Sequence, residues 1–236
     1  MDQTAPPHDQ PVPPVIRRAT TALFTALARV RDARAFHPRG VTFAGALTLV
    51  GRGVRLPGVE AGPALVRLSK GAGLPDGVPD VLGLAVRLPD ALGPGRPQDL
   101  LLSTAGTAPV ARHLLRPTRG VDRRTFSSLL PYRVEGGARV VGARWAGPPR
   151  AEPLRIADLE AAVDGGEAAF TLVVASPSGE WHPVAHLQLQ RRLPADEARR
   201  IRFHPWNTAP GLRPAGLLNR LRGPAYAGSQ RGATSE

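Results

Sequence analysis

The chain has 236 residues, a net charge of +12, and 42% hydrophobic against 21% charged residues. This globular composition excludes disorder of the bulk of the chain, and the length allows one domain or two small ones. Without a cysteine there can be no disulfide scaffold, thiolate nucleophile, cysteine-ligated zinc or iron–sulfur cluster.

In chain order, residues 1–15 hold five prolines and read as a loose arm. Ile16 to Arg34 reads as an amphipathic helix, with Leu23, Leu27 and Val30 on its core-facing stripe. Short apolar runs follow at Val41–Val50, Ala64–Leu68, Val81–Leu88 and Asp99–Thr104, separated by Gly/Pro-rich breaks. Strands at this spacing suggest an antiparallel sheet or barrel. Thr107–Leu115 and Val121–Leu130 read as connecting helices. A second set of strands is expected at Ala138–Arg144, Leu154–Ile156 (the weakest of them), Ala169–Ser176 and Trp181–Arg192. Pro194–Arg200 reads as a short helical turn, Phe203–Pro214 as extended chain, and a helix-like segment begins at Ala215. The expectation is one α+β domain over residues 16–236, an antiparallel β-barrel with helices at both ends.

Thirty of the 31 basic residues are arginine, Lys70 being the exception. Nucleic acid is the obvious partner for such a charge, but its footprint is a local basic patch. Here the arginines are spread along the chain, and aromatics for base stacking are only 5% of residues. Nucleic acid is therefore disfavoured as a partner. No apolar run approaches the ~18 residues of a membrane span, and the polar start of the chain lacks a signal-peptide core, so the expected location is the cytoplasm.

Most familiar catalytic motifs are missing: there is no G-x-S-x-G, HExxH or Walker-type loop. His182 and His186 stand four apart on an expected strand, where a metal pair is conceivable, but no third ligand lies near them in sequence. The informative pieces lie towards the two ends. Arg34-Ala35-Phe36-His37-Pro38-Arg39-Gly40 precedes the first strand, and Val66-Arg67-Leu68-Ser69 ends the second. Near the finish come Phe203-His204-Pro205-Trp206-Asn207-Thr208-Ala209-Pro210-Gly211 and Arg222-Gly223-Pro224-Ala225-Tyr226. On a helix, Arg222 and Tyr226 would share a face, and the cation would favour the phenolate.

Taken together and in this order, these segments resemble the monofunctional haem catalases and the shorter catalase-like peroxidases. The resemblance runs from residue 34 to about 231. It implies a catalase-like antiparallel β-barrel with flanking helices, and haem b with ferric iron as cofactor. Tyr226 would be the axial ligand, the type known from catalase, with Arg222 holding it as phenolate. His37 would be the distal acid–base and Ser69 its orienting partner. Arg34, Arg67 and Arg231 would pair with the haem carboxylates, for which a guanidinium fork is suited. The implied substrate is hydrogen peroxide or an organic hydroperoxide.

The chain also departs from that family. The stretch Leu100–Pro109, where large catalases carry a distal asparagine, has none, and the whole chain holds only Asn207 and Asn219. Pro224 interrupts the Arg222–Tyr226 spacing, and proline fits a helix only near its start or at a kink. The wrapping and C-terminal helical segments of large catalases are missing, which argues against their interlocked tetramer. Two functions stay open: a haem peroxidase, or a degenerate catalase-fold protein that binds haem or an apolar ligand without turnover.

Overall fold

The computed structural model of the protein describes residues 40–50 and 54–214. The arm 1–15, the expected helix Ile16–Arg34 and the segment from Ala215 lie outside the described residues. Among the described residues ten strands form one sheet: β1 (Gly40–Leu49), β2 (Gly62–Lys70), β3 (Leu82–Leu88), β4 (Gln98–Ala105), β5 (Thr125–Ser127), β6 (Tyr132–Val134), β7 (Gly137–Trp145), β8 (Ala169–Ala175), β9 (His182–Arg192) and β10 (Arg213–Pro214). The first four pair in sequence order, β4 continues to β5 and β5 to β7, while β8 pairs with β9 and β9 with β1. Hydrogen bonding between β7 and β8 closes the circle, so eight strands make an antiparallel barrel. Strands β6 and β10 extend from β7 outside it. Two short helices, α1 (Leu159–Asp164) and α2 (Ala195–Arg200), lie on either side of β8 and β9 in sequence.

Alternation fixes which face is dry. On β2, β3 and β4 the inward residues are Val66 and Leu68, Leu84 and Val86, and Leu100 and Leu102, all buried in one hydrophobic cluster. They meet across the strands as Val66–Val86–Leu100 and Leu68–Leu84–Leu102. Each such side chain contributes about 1.5–3 kcal/mol on burial. The far half of the core is aromatic: Phe170 meets Phe126 and Trp145 edge-on, at 5.9 and 5.4 Å between centroids.

Seven expected strands agree with the observed ones to within one or two residues. Three local expectations fail. Thr107–Leu115 is not a helix; only Ala111–His113 makes a single 3-10 turn. Its side chains are committed elsewhere: Arg112 donates to the carbonyls of Ser176 and Gly179, and His113 Nδ1 faces Leu129 O at 2.6 Å. Val121–Leu130 is not helical either, because Thr125–Ser127 bridges β4 to β7 and sends Phe126 into the core. Leu154–Ile156 is not a strand. It is a loop held by Leu154 N to Asp122 Oδ1 and Val121 N to Leu154 O, and it leads into a 3-10 turn at Ile156–Asp158.

The Phe203–Gly211 segment has a structural role. Asp99, fully buried on the outward side of β4, accepts a fork from Arg87, with both N–O distances 2.7 Å. Its second oxygen also takes His204 N at 2.7 Å and Asn207 Nδ2 at 2.8 Å. Asp99 N donates back to Asn207 O, and the Phe203 ring lies 5.2 Å under the Arg87 guanidinium. The segment is thus latched across β3 and β4. Removing one partner of a buried ion pair costs about 3–5 kcal/mol. Asp99→Ala should therefore lower the melting temperature by about 6–20 °C, read by circular dichroism, and Asn207→Ala should lower it less. A melting temperature unchanged in both variants would refute the latch.

Candidate functional site

The outward faces of β1–β4 carry the sequence-predicted residues that the structure describes. Ser69 and Arg67 alternate outward on β2 because Leu68 between them is in the core. Register places Ser69 opposite Gly40 and Arg67 opposite Thr42 on β1. On the other side Ser69 faces Gly83, and Arg67 faces Ala85, on β3; these face Ser103 and Leu101 on β4. Two rows result: Gly40–Ser69–Gly83–Ser103 and Thr42–Arg67–Ala85–Leu101. A third, Ala44–Leu65–Arg87–Asp99, ends at the latch.

The first row is unusually small in side-chain volume. It continues through Ser127 on β5 to Gly142 on β7. There the Trp181 ring lies against the sheet: a Cβ on Gly142 would sit 2.9 Å from it. Trp181 Nε1 donates to Thr107 O, and the guanidinium of Arg112 stacks on the ring at 4.4 Å, with that of Arg144 at 5.9 Å. The pKa of Arg112 is lowered by burial first and by the Arg144 charge second. The row is a floor of glycine and serine, in which Ser69 and Ser127 are buried, and the Trp181 ring covers its β7 end.

At the β1 end the guanidinium of Arg67 lies over Gly40; a Cβ there would sit 2.9 Å from its Nη2 and 2.8 Å from Leu68 O. Burial pulls the Arg67 pKa down from its ordinary value. Beside it, Thr42 Oγ1 is buried with no hydrogen-bond partner among the described residues. A floor of small residues with a guanidinium at its margin fits a flat ring that bears carboxylates, since the floor admits close approach and the fork matches the acid. Haem is a group of that kind. The described residues hold no cluster of three or more histidine, cysteine or acidic side chains, and a haem site needs none. The implied iron ligand Tyr226, its partner Arg222, the distal His37, and Arg34 and Arg231 all lie outside the described residues. The structure therefore brings together Ser69 and Arg67 and leaves the other five unplaced.

The alternative histidine pair gathers no ligands. His182 is exposed and His186 half-buried, and β9 has a register shift against β8 between them. Thr42, Gly83 and Ser103 were not singled out by motif reasoning. Their signal is the alternation of small with large residues, as in Gly83-Leu84-Ala85-Val86.

The fold is similar to that of a solved fungal catalase, with a TM-score of 0.57 at 15% sequence identity. The match covers 87% of this chain and 61% of that one, so this chain spans about three-fifths of the catalase's length. The barrel is catalase-like. The sequence matches no protein-family model and no curated protein. No helix among the described residues is long and apolar enough to cross a membrane.

The cover that Trp181 forms over Gly142 can be tested directly. Gly142→Ala drives a methyl into the Trp181 ring. It should cost about 1–3 kcal/mol and change the tryptophan emission in the native state. The same substitution in a Trp181→Phe background should leave the emission of Trp145 and Trp206 unaltered. If emission changes equally in both backgrounds, Trp181 does not form the cover.

Proposed function

We propose that the chain is a haem-dependent peroxidase of catalase-like type, acting on hydrogen peroxide or organic hydroperoxides. The observation that supports this best is the register of β1 with β2. It sets Ser69 and Arg67 against the start of β1, the strand that the Arg34–Gly40 motif leads into. His37 stands three residues before Gly40, a separation of at most about 10 Å along even a fully extended chain. On this reading the residues of the Arg34–Gly40 motif and those of Val66–Ser69 would serve the haem together.

Haem, when bound, supplies the two-electron chemistry that cleaves the O–O bond. The chain's own residues bind and move protons. Arg67 holds a carboxylate of the group at the β1–β2 margin. His37 would take a proton from one peroxide oxygen and return it to the other, which leaves as water from hydrogen peroxide or as an alcohol from an organic hydroperoxide; a positioned acid–base of this kind is worth about 10²–10⁴-fold. Ser69 keeps the imidazole oriented. Tyr226 would hold the iron through its phenolate, with Arg222 favouring the charged form.

Catalase turnover needs a second peroxide held as reductant, and Asn207, the one asparagine among the described residues, is spent on the latch. The reading is therefore a poor catalase that works as a peroxidase. Binding without turnover is the second reading, favoured by Pro224 inside the Arg222–Tyr226 spacing.

Purified protein reconstituted with haem should show a Soret band with high-spin ferric features. Tyr226→Phe should lose most of the haem, and Arg222→Ala less of it. His37→Ala should retain haem and react with peroxide about 10²–10⁴-fold more slowly in stopped flow. Oxidation of a phenolic dye should exceed oxygen evolution on the same sample. Unchanged haem retention in Tyr226→Phe removes the ligand assignment. Haem binding with no turnover in any assay moves the protein to the second reading.

A further inference from the structure

We infer that the end of the barrel where β2 turns into β3 and β4 leads into β5 docks on an anionic lipid surface, through a cluster of loop arginines and two exposed aliphatic side chains. The inference is independent of the haem reading. It concerns a face that lies on a bilayer, not a segment that spans one.

The stretch Arg116-Pro117-Thr118-Arg119-Gly120-Val121-Asp122-Arg123-Arg124 holds four arginines against one acid. All four arginines are exposed, whereas Thr118, Gly120 and Val121 between them are buried. The buried residues anchor the loop and leave the charges in solvent. Arg119 donates to Gly77 O, and Arg123 to the carbonyls of Arg150 and Ala151, so both are tethered largely through neutral acceptors. Asp122 lies 3.3 Å from Arg123 and offsets one charge, and the exposed Glu152 on the loop that Arg123 grips offsets another. Arg116 and Arg124 have no side-chain partner among the described residues. The nearby pairs Lys70–Asp76, Arg150–Glu167 and Arg155–Asp158 are neutral within themselves, so the face keeps a positive charge.

Of the five large hydrophobic side chains exposed among the described residues, two stand on the β2–β3 loop: Leu74 at 39% and Val78 at 44%. The loop is fixed in a way that holds them out. Asp80, itself buried, accepts Ala72 N on one carboxylate oxygen and Leu74 N on the other. Backbone hydrogen bonds run both ways between Asp80 and Thr118. These bonds, with that from Arg119 to Gly77, fasten the aliphatic loop to the arginine loop, and Val78 and Arg119 line one small cavity. Apolar and cationic side chains thus belong to a single surface. Projecting aliphatics suit a fluid apolar phase, which needs no matching groove, and guanidinium groups suit the lipid phosphates and carboxylates beside it. A nucleic acid would use the charges but not the aliphatics, and neither loop offers it a Phe, Trp or Tyr for stacking.

The test is co-sedimentation of the full chain with phosphatidylserine-rich vesicles and with vesicles of phosphatidylcholine alone. The wild type should bind the first far more tightly than the second. Arg116→Gln combined with Arg124→Gln should weaken binding to the anionic vesicles about 20–30-fold, at about 5-fold for each cation removed. Its melting temperature should match wild type, since neither side chain has a partner to lose. Leu74→Ser combined with Val78→Ser should weaken the same binding about 10-fold. What binding this second variant retains should vanish near 1 M salt, where the Debye length is about 3 Å. Absence of vesicle binding, equal binding to the two vesicle types, or wild-type affinity in either double variant overturns the inference. Tighter binding to duplex DNA than to the anionic vesicles, unchanged by the Leu74 and Val78 substitutions, overturns it in favour of a nucleic-acid face.

Discussion

The β7–β8 hydrogen bonds are the constraint on which the rest depends. They turn an open sheet into a barrel and remove two edges that would otherwise present unpaired backbone groups. Closure also divides every strand into a face that must be apolar and a face free to carry chemistry. Because the side-chain period is two, a one-residue slip would exchange the faces. The inward valines and leucines of β2–β4 therefore hold Ser69, Arg67 and Ser103 outward as firmly as any direct contact.

Many of the arginines tie loops down. Arg112 grips the β8–β9 turn through two carbonyls, Arg119 donates to Gly77 O, and Arg123 donates to the carbonyls of Arg150 and Ala151. Loops rich in proline and glycine leave carbonyls without ladder partners, and a five-donor fork can satisfy two at once. Arg87 does similar work for the latch, with a carboxylate as one of its partners. Part of the high charge is thus explained by how the connections are fastened, with no anionic polymer required.

The strands were legible because their pattern is local: runs such as Leu82–Leu88 alternate and are bounded by Gly/Pro breaks. The failures lie where long-range contacts override local preference. Nothing near Phe126 signals that it will meet Phe170 from another strand, and nothing near Arg112 signals that its partners are the carbonyls of Ser176 and Gly179. Of the candidate site, only the β2 segment is placed by the described residues. Val66-Arg67-Leu68-Ser69 stood out as a motif, whereas Gly83 and Ser103 acquire meaning only through the register that aligns them with Ser69. Small residues carry little information singly and much in a row.

The barrel exterior is asymmetric, and this bears on where chemistry can occur. Over β7, Gly142 is covered by Trp181, which Arg112 and Arg144 flank, so a ligand there would have to displace an aromatic ring stacked against a buried cation. Beyond β3 and β4 the latch occupies the third row with Arg87 and Asp99. What remains between the Trp181 cover and the latch are the rows Gly40–Ser69–Gly83–Ser103 and Thr42–Arg67–Ala85–Leu101. In the first row no side chain exceeds two heavy atoms, so the backbone there is open to close approach, and the serine hydroxyls supply hydrogen-bonding groups without filling it. The same packing that stabilises the barrel thereby decides which residues of β1–β4 stand together on its outward face.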